Sequence, residues 1–348
     1  MSVDPRQVDD ELAFARRVLD AEAEAIRRIA IDDAFTRAVE LIVTSSQAGG
    51  SGGGGGGSSV IVSGLGKSGL IGRKLSATFA STGTPSQFLH PSEALHGDLG
   101  RVRRGDVVLL LSYGGSTEEV VTLAQLLKQD GVPIVAIVGQ AGCDLGRLAT
   151  AALCVGDVTE ACPLNLAPTA STTAMLALGD ALALAVSKRR QFGVEDFRKL
   201  HPGGGLGRQL TPVTEAMRFK AGLNLPLVAR ERTVEQAYAE AEQHAQASGL
   251  RRAGALLIVD GAGRLAGIVT DGDLRTALIR QGPEVWRGPI ERIMTSDPTT
   301  LGDDALVRDA VRVVREHRFD EIPIVDGDGN PVGLIDVQDL AALKVIEG

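Results

Sequence analysis

The sequence predicts a doubly wound parallel α/β domain followed by a tandem pair of small α+β modules. Short apolar runs alternate with helical patterns over the first half of the chain. Glycine- and hydroxyl-rich segments follow those runs, where parallel strands would end and ligands bind. Beyond Leu210 one strand–turn–strand–helix theme occurs twice. We therefore expect a first domain over residues 1–210 and two modules over 211–280 and 288–348.

The composition limits the partners of the protein. A chain of 348 residues with 44% hydrophobic content can bury more than one core. The net charge of -8 argues against nonspecific binding to nucleic acid or to an anionic membrane, although a small anion can still bind locally. We expect neither nucleic acid nor membrane as a partner.

The cysteines and apolar segments indicate a cytoplasmic protein. The three cysteines fit neither a metal-ligand pattern nor a disulfide framework, so we expect reduced thiols. The N-terminal residues carry acidic groups and no basic-then-apolar signal segment. The most apolar helical stretch, Ala174 to Val186, is interrupted by Asp180 and is shorter than a membrane span.

The elements follow in order along the first domain. Apolar residues recur among charges from Val8 to about Val43, which predicts two amphipathic helices. The glycine-rich run 48–59 predicts a flexible insertion loop, with a phosphate cradle as the weaker interpretation. Five strands are then predicted, at 60–63, 86–89, 107–112, 133–138 and 151–155.

The first strand leads into Gly-Leu-Gly-Lys-Ser-Gly at residues 64–69, which opens a helix. Backbone amides and the helix dipole at such a turn favour an anion. The motif fits a dinucleotide fingerprint poorly, because no carboxylate occurs before Glu93. A Walker A loop also fails, since Ile61 stands where the first glycine belongs. Taken alone, the motif indicates a tight turn with an exposed Lys67.

A second hydroxyl-rich turn follows the third strand. Ser112, Ser116 and Thr117 lie there, and two such loops at one sheet edge indicate a phosphate site. An alternative of equal weight needs no ligand: Ser116 and Glu119, three residues apart, match a helix capping box.

Two further segments contain candidate residues. Residues 159–173 lead into a long apolar helix, where Ser171 is a candidate for substrate binding, and Ser171 and Thr172 are alternatively simple helix caps. His201 stands in a glycine-rich stretch that fits neither regular helix nor strand. By itself, a loop histidine of this kind is usually only solvated.

The repeats at 255–274 and 322–340 resemble a tandem cystathionine-β-synthase (CBS) pair, which implies adenine-nucleotide binding. Thr270 and Asp273 match the ribose-holding signature of that family. The second copy has Asp336 in place of the hydroxyl, and its carboxylate would repel a phosphate. We expect at most one nucleotide site, with a purely structural pair as the alternative.

The segments and their order resemble the arabinose-5-phosphate isomerase family over essentially the whole chain. In that family a flavodoxin- or Rossmann-like sugar isomerase (SIS) domain precedes the CBS pair. The matching motifs lie at 64–69, 71–74, 81–85, 90–91, 96–100, 160–164 and 201–204. The resemblance implies interconversion of ribulose 5-phosphate and arabinose 5-phosphate, which feeds synthesis of the lipopolysaccharide sugar Kdo.

The resemblance also implies site residues and assembly. The matched catalytic positions are Lys67, Glu119, Glu160 and His201, and the matched substrate contacts are Gly83, Thr84, His90 and His96. No cofactor is implied as a requirement, although His90 matches a position associated with metal, such as zinc. The resemblance further implies a homo-oligomer whose pockets neighbouring subunits complete, and we expect a tetramer.

The residue types suit the chemistry. Aldose–ketose exchange moves a proton between neighbouring carbons through an enediolate, so it needs a base and a charge stabiliser. Glu119 or Glu160 is expected to move the proton, and the sequence does not decide between them. Lys67 is expected to stabilise the oxyanion, and His201 to assist ring opening or hydroxyl proton transfer.

Two departures from the family affect the substrate. Gly114 stands where a second serine is usual, and Tyr113 stands where relatives often have a small amide. Fewer hydroxyls weaken the phosphate site, and the tyrosine narrows the pocket. A non-catalytic sugar-phosphate sensor and an isomerase or lyase for another phosphosugar therefore stay open as alternatives.

Overall fold

The computed structural model describes residues 5–48, 58–249 and 252–346. The chain divides into two compact units, Met1–Leu200 and His201–Gly348. Most of the predicted glycine-rich loop, residues 49–57, lies outside the described residues.

The first unit alternates strands and helices after two N-terminal helices, as the sequence predicts. Its helices are α1 Pro5–Arg27, α2 Asp33–Ala48, α3 Gly66–Ser81, α4 Pro91–Leu95, α5 Glu118–Gln129, α6 Asp144–Leu148, α7 Ala170–Arg189 and α8 Val194–Leu200, with a 3-10 turn at Asp98–Arg101. Its strands are β1 Val60–Gly64, β2 Ser86–Phe88, β3 Val107–Leu111, β4 Ile134–Val138 and β5 Ala151–Cys154.

The five strands form one parallel sheet in the order β2-β1-β3-β4-β5. Val60 and Val62 pack in the core formed with α1, α2, α3 and α7, whereas Ile61 packs with α4, α5 and α6 on the other face. Because both faces are covered, these strands are continuous apolar runs rather than alternating ones. The predicted doubly wound fold is confirmed.

Helix α7 is longer than the apolar stretch Ala174 to Val186 that was identified in the sequence. Its 20 residues are long and apolar enough to cross a membrane by length and composition alone. Met175, Leu182 and Ala183 are nevertheless fully buried in the core of the first unit. In this structure α7 is a core helix of a globular unit.

The second unit contains the repeated module. Its helices are α9 Gly205–Gln209, α10 Val213–Ala216, α11 Val234–Ser248, α12 Asp271–Gln281, α13 Val307–His317 and α14 Val337–Ala342, with 3-10 turns at Pro283–Arg287 and Ile290–Arg292. Its strands are β6 Phe219–Lys220, β7 Leu227–Ala229, β8 Ala255–Val259, β9 Leu265–Thr270, β10 Thr295–Ser296, β11 Leu301–Gly302, β12 Glu321–Val325 and β13 Pro331–Asp336.

Each copy of the repeat forms a four-stranded sheet, in the orders β10-β9-β8-β7 and β11-β12-β13-β6. Strand β6 pairs antiparallel with β13. The preceding residues Val213 and Met217 pack in the core of the second module. The first residues of the segment 211–280, which the sequence assigned to the first module, therefore pack on the second module. The order of the repeats along the chain does not indicate this exchange.

Candidate functional site

Lys67 lies in the first turn of α3, directly after β1. The N-cap residue, Leu65, makes no side-chain cap hydrogen bond, and Gly66 has a positive φ of 57°. Lys67 is therefore exposed in a helix turn whose first N–H groups receive no hydrogen bond from the side chain of the cap residue. A Cβ at Gly69 would lie 2.5 Å from the Gly64 carbonyl oxygen, so these motif glycines also allow the strand and helix to approach closely.

Glu160 is held by the N-terminus of α7. Its Oε2 accepts hydrogen bonds from the N–H groups of Thr169 at 2.7 Å and Ser171 at 3.2 Å, and from Thr169 Oγ1 at 3.1 Å. Ser171 Oγ donates to Oε1. Burial raises the pKa of Glu160, but the hydrogen bonds from Ser171 and Thr169 outweigh it and lower the pKa from its ordinary value. These hydrogen bonds thus fix the Glu160 carboxylate and favour its ionised form.

This arrangement overturns the interpretation of Ser171 and Thr172 as helix caps. Helix α7 begins at Ala170, and the carboxylate of Glu160 accepts hydrogen bonds from its first amides. The Ser171 hydroxyl donates to Glu160, and the Thr172 hydroxyl donates to the Thr169 carbonyl at 2.8 Å. Helix-capping rules consider only residues next to the helix start, so they do not predict an acceptor such as Glu160 from the preceding loop.

The turn after β3 is organised by Ser112. Its hydroxyl accepts the Gly115 N–H at 3.1 Å and shares a hydrogen bond of 3.1 Å with Thr117 Oγ1. Helix α5 begins at Glu118 with Thr117 as its N-cap, so the predicted capping box of Ser116 and Glu119 is wrong. The Ser112 hydroxyl satisfies the turn instead, and Ser116 stays exposed.

A cleft of about 550 Å³ brings several predicted residues together. Its lining includes Lys67, Tyr113, Glu160 and Ser171, with Ser68 and Thr172 beside them. No ligand role was predicted for Ser68 or Thr172, although both stand in the glycine- and hydroxyl-rich segments described above. The predicted residues Glu119, Ser112, Ser116 and Thr117 are not part of this lining.

Gly83 and Thr84 lie at the amino ends of the parallel strands, opposite the carboxyl ends where Lys67 lies. They connect the C-terminus of α3 to the start of β2, whereas Lys67 follows the end of β1. Thr84 is buried and accepts a hydrogen bond from Arg190 Nη1 at 3.1 Å. Gly83 has a φ of 89°, and a Cβ there would meet the Phe192 ring at 2.2 Å. One copy of the chain therefore does not bring these two residues to Lys67.

The two histidines near β2 differ in environment. His90 is the half-buried N-cap residue of α4, and its Nδ1 is buried without a hydrogen-bond partner in the part of the chain described. His96 follows α4 and is exposed. Among the described residues no group of three His, Cys, Asp or Glu could hold a metal ion. One histidine does not fit a dedicated zinc site.

His201 is the first residue of the second unit, between α8 and α9. The Gly204 N–H donates to its carbonyl at 3.4 Å, and a Cβ at Gly207 would lie 2.0 Å from that oxygen. The glycine-rich stretch therefore folds closely around the His201 backbone before the short helix α9.

The predicted nucleotide residues form a capping box on α12. Thr270 Oγ1 donates to Asp273 Oδ2 at 2.7 Å, and the Asp273 N–H donates to Thr270 Oγ1 at 3.1 Å. Both side chains line a cavity of about 750 Å³. Its lining also includes two arginines and four further carboxylates, namely Arg275, Arg318, Asp271, Asp297, Asp320 and Glu321. Cationic groups at one cavity with a ribose-type pair can receive a phosphate.

The second module repeats this cap with carboxylates. Asp336 is the N-cap of α14 and accepts the Asp339 N–H at 3.0 Å. Arg218 forms ion pairs with both aspartates, at 3.1 Å from Asp336 Oδ2. One arginine of the same chain is therefore paired with the carboxylate that stands where the predicted nucleotide signature departs from its family.

Comparison with known proteins follows the same division. The SIS domain model matches residues 57–185, and the CBS domain model matches residues 223–280 and 290–345. The arabinose 5-phosphate isomerase KdsD of Pseudomonas aeruginosa is 40% identical over 97% of this chain and 98% of its own length. KpsF of Escherichia coli O6:H1, with the same enzyme name, is 40% identical over 80% of this chain and 82% of its own.

A solved structure adds a ligand-bound relative. An Escherichia coli CFT073 protein in complex with A5P is 35% identical, with a TM-score of 0.50, and covers 56% of this chain and 98% of its own. Domain order, identity and coverage agree with the fold and with the motifs of the cleft. The chain belongs to the arabinose 5-phosphate isomerase family, with a SIS domain followed by two CBS domains.

Proposed function

We propose that this protein interconverts D-ribulose 5-phosphate and D-arabinose 5-phosphate through an enediolate. The observation that carries the proposal is the cleft that holds Lys67 and Glu160 together at the carboxyl edge of the sheet. The names of the curated relatives, and the A5P-bound relative, support this pair of sugars.

Lys67 is assigned to the charge that develops during the reaction. An enediolate carries negative charge on oxygen, and an ammonium group beside open helix amides stabilises such charge. Lys67 is exposed at the cleft and lies in the first turn of α3.

The environments of the two glutamates suggest different roles. Glu160 accepts four hydrogen bonds and has a lowered pKa, which makes it a weak base. Glu119 is half-buried in the first turn of α5, and its carboxylate has no hydrogen-bonding partner among the described residues. We assign the proton shuttle to Glu119, which lies at the start of α5 outside the lining of the cleft, and the fixed negative charge to Glu160. His201 is assigned to ring opening or hydroxyl proton transfer.

The phosphate-binding proposal rests on the turn after β3. Ser112 uses its hydroxyl to organise the turn and shares a hydrogen bond with Thr117, which is half-buried, so Ser116 is the exposed hydroxyl there. Gly114 is also exposed and lets a backbone amide approach an anion. Ser171 acts through Glu160, to which its hydroxyl donates.

A homo-oligomer, which we expect to be a tetramer, would reconcile the positions of the remaining substrate residues. Within one chain, Gly83 and Thr84 lie at the amino ends of the strands, and Lys67 lies at the carboxyl ends. One small sugar can contact residues of both kinds only if a second subunit brings its Gly83 and Thr84 to the Lys67 of the first. His90 and His96 are assigned to the substrate, without a metal-dependent step.

The CBS pair is assigned one adenine-nucleotide site, at Thr270 and Asp273. The cavity lined by these residues carries Arg275 and Arg318 for a phosphate. A thermal shift with AMP or ATP supports the assignment, and no shift with either favours a purely structural pair. We place the enzyme in the cytoplasm, where its product supplies Kdo for lipopolysaccharide.

The deciding experiment is isomerisation in heavy water. The unaltered protein, Lys67→Ala and His201→Ala are given ribulose 5-phosphate, and deuterium at carbon 2 of the product is measured. The enediolate route is supported if the unaltered protein forms arabinose 5-phosphate with deuterium at carbon 2 and both variants form little of this product. Binding without turnover or exchange would identify a sugar-phosphate sensor, and neither binding nor turnover directs the search to other phosphosugars.

A further inference from the structure

The side chain of Tyr113 crosses the end of β4 to reach the segment after β5. The Gly139 N–H donates to the Tyr113 carbonyl at 2.8 Å. A Cβ at Gly139 would lie 3.1 Å from Tyr113 Cε2, so the ring lies against a position with no side chain. The ring is half-buried and packs against the core that includes α7.

The Tyr113 hydroxyl holds the segment that leads to Glu160. It accepts the Val158 N–H at 2.8 Å, and the carbonyl oxygens of Gly156 and Val158 lie 3.5 Å and 3.4 Å from it. Gly156 has a φ of 85°, a left-handed conformation that takes the chain away from the β4–β5 ladder. The tyrosine therefore contacts the chain where strand pairing ends.

Glu160 is fixed at the other end of the same short segment, by Thr169 and Ser171 at the start of α7. Tyr113, Val158 and Glu160 all line the cleft that contains Lys67. Two attachments, one on each side of residue 159, leave the carboxylate little freedom relative to the Lys67 turn.

We propose that Tyr113 is a positioning residue, whose hydroxyl holds residues 156–160 and so fixes the Glu160 carboxylate in the cleft. The proposal rests on the isomerase activity proposed above for its kinetic consequence only. Small displacements of a charged group reduce turnover when they alter the reacting geometry. Substrate binding through other contacts is then little affected.

The experiment compares Tyr113→Phe with Tyr238→Phe in the full-length protein. These are the two tyrosines of the chain, and the Tyr238 hydroxyl lies 3.5 Å from Asp271 in the second unit. Each variant loses one hydroxyl and keeps its ring. Two quantities are measured: amide hydrogen exchange of a peptide spanning 156–160, and kcat and KM for ribulose 5-phosphate.

Tyr113→Phe is expected to speed exchange of the 156–160 peptide and to lower kcat, each by about fivefold, the equivalent of one hydrogen bond. The KM should change less than about twofold, because uniform binding is retained. Tyr238→Phe should change none of these quantities.

Unchanged exchange in Tyr113→Phe overturns the proposed attachment. Faster exchange with unchanged kcat overturns its role in the reaction, and a rise in KM alone overturns positioning in favour of a substrate contact. If the unaltered protein turns over neither pentose phosphate, the isomerase proposal fails, and the exchange comparison still decides whether Tyr113 holds the segment.

Discussion

Glu160→Gln tests the account of the cleft most directly. The amide keeps the size of the side chain but presents one oxygen and one NH2 group to four donors that all face a carboxylate. At least one donor loses its acceptor, and the helix N-terminus loses a negative charge. Hydrogen bonds to a charged acceptor exceed neutral ones by roughly 1 kcal/mol, and the helix-dipole contribution adds about 0.3–1 kcal/mol.

The expected loss of stability in the first unit is therefore about 1–3 kcal/mol. For a unit of this size that corresponds to a fall of about 3–9 °C in the midpoint of its unfolding transition. Glu119→Gln is the matched control, because the Glu119 carboxylate makes no hydrogen bond to other described residues. It should shift stability by less than about 0.5 kcal/mol while abolishing most turnover.

The pH dependence gives a second, independent readout. The lowered pKa of Glu160 means that its contribution is complete above the ordinary glutamate value of 4.5 and disappears as the pH falls through the folded-state pKa. The difference in unfolding midpoint between the unaltered protein and Glu160→Gln should thus shrink in acid. Equal midpoints for the two proteins at pH 7 would refute the reasoning.

Three further predictions follow from single contacts. Gly114→Ser should leave the unfolding midpoint unchanged, since the nearest atom to the new Cβ is Ser116 Oγ at 4.0 Å, and should lower KM for the phosphosugar by adding a hydroxyl; a raised KM would contradict this. Gly69→Ala should destabilise the first unit by about 1–3 kcal/mol, because its Cβ meets the Gly64 carbonyl at 2.5 Å, and urea unfolding measures the loss. Arg218→Ala should lower the unfolding midpoint of the second unit, because Asp336 and the buried Asp339 then lose the cation that pairs with both of them. Arg264→Ala removes only a surface ion pair with Asp260 and should leave the midpoint unchanged.

Residue patterns predicted the sheet well for a physical reason. Strands buried on both faces must be apolar throughout, and the runs at 107–112 and 133–138 therefore reveal β3 and β4 directly. The paired glycines of the first motif were also informative, because a backbone close approach tolerates no other residue.

The candidate site was predicted less completely because its contacts are long-range. The turn before α5 is organised by the Ser112 hydroxyl, and the cap of α7 comes from Glu160, nine to eleven residues upstream of its donors. Local capping rules consider neighbouring positions and missed both. The placement of Gly83 and Thr84 depends on the direction of α3 across the sheet, which the motif alone does not give.

The exchange of β6 between the repeats limits how this protein can be shortened. The core formed by Phe219, Ala255, Leu257, Ile268 and Leu334 draws side chains from both repeats. A chain ending near residue 288 would retain Val213 and Phe219 but lose the strand and helix that bury them. Such a fragment would expose apolar surface and tend to aggregate. Each repeat is therefore half of a folding unit, and a shortened or transplanted version of this region has to keep both copies.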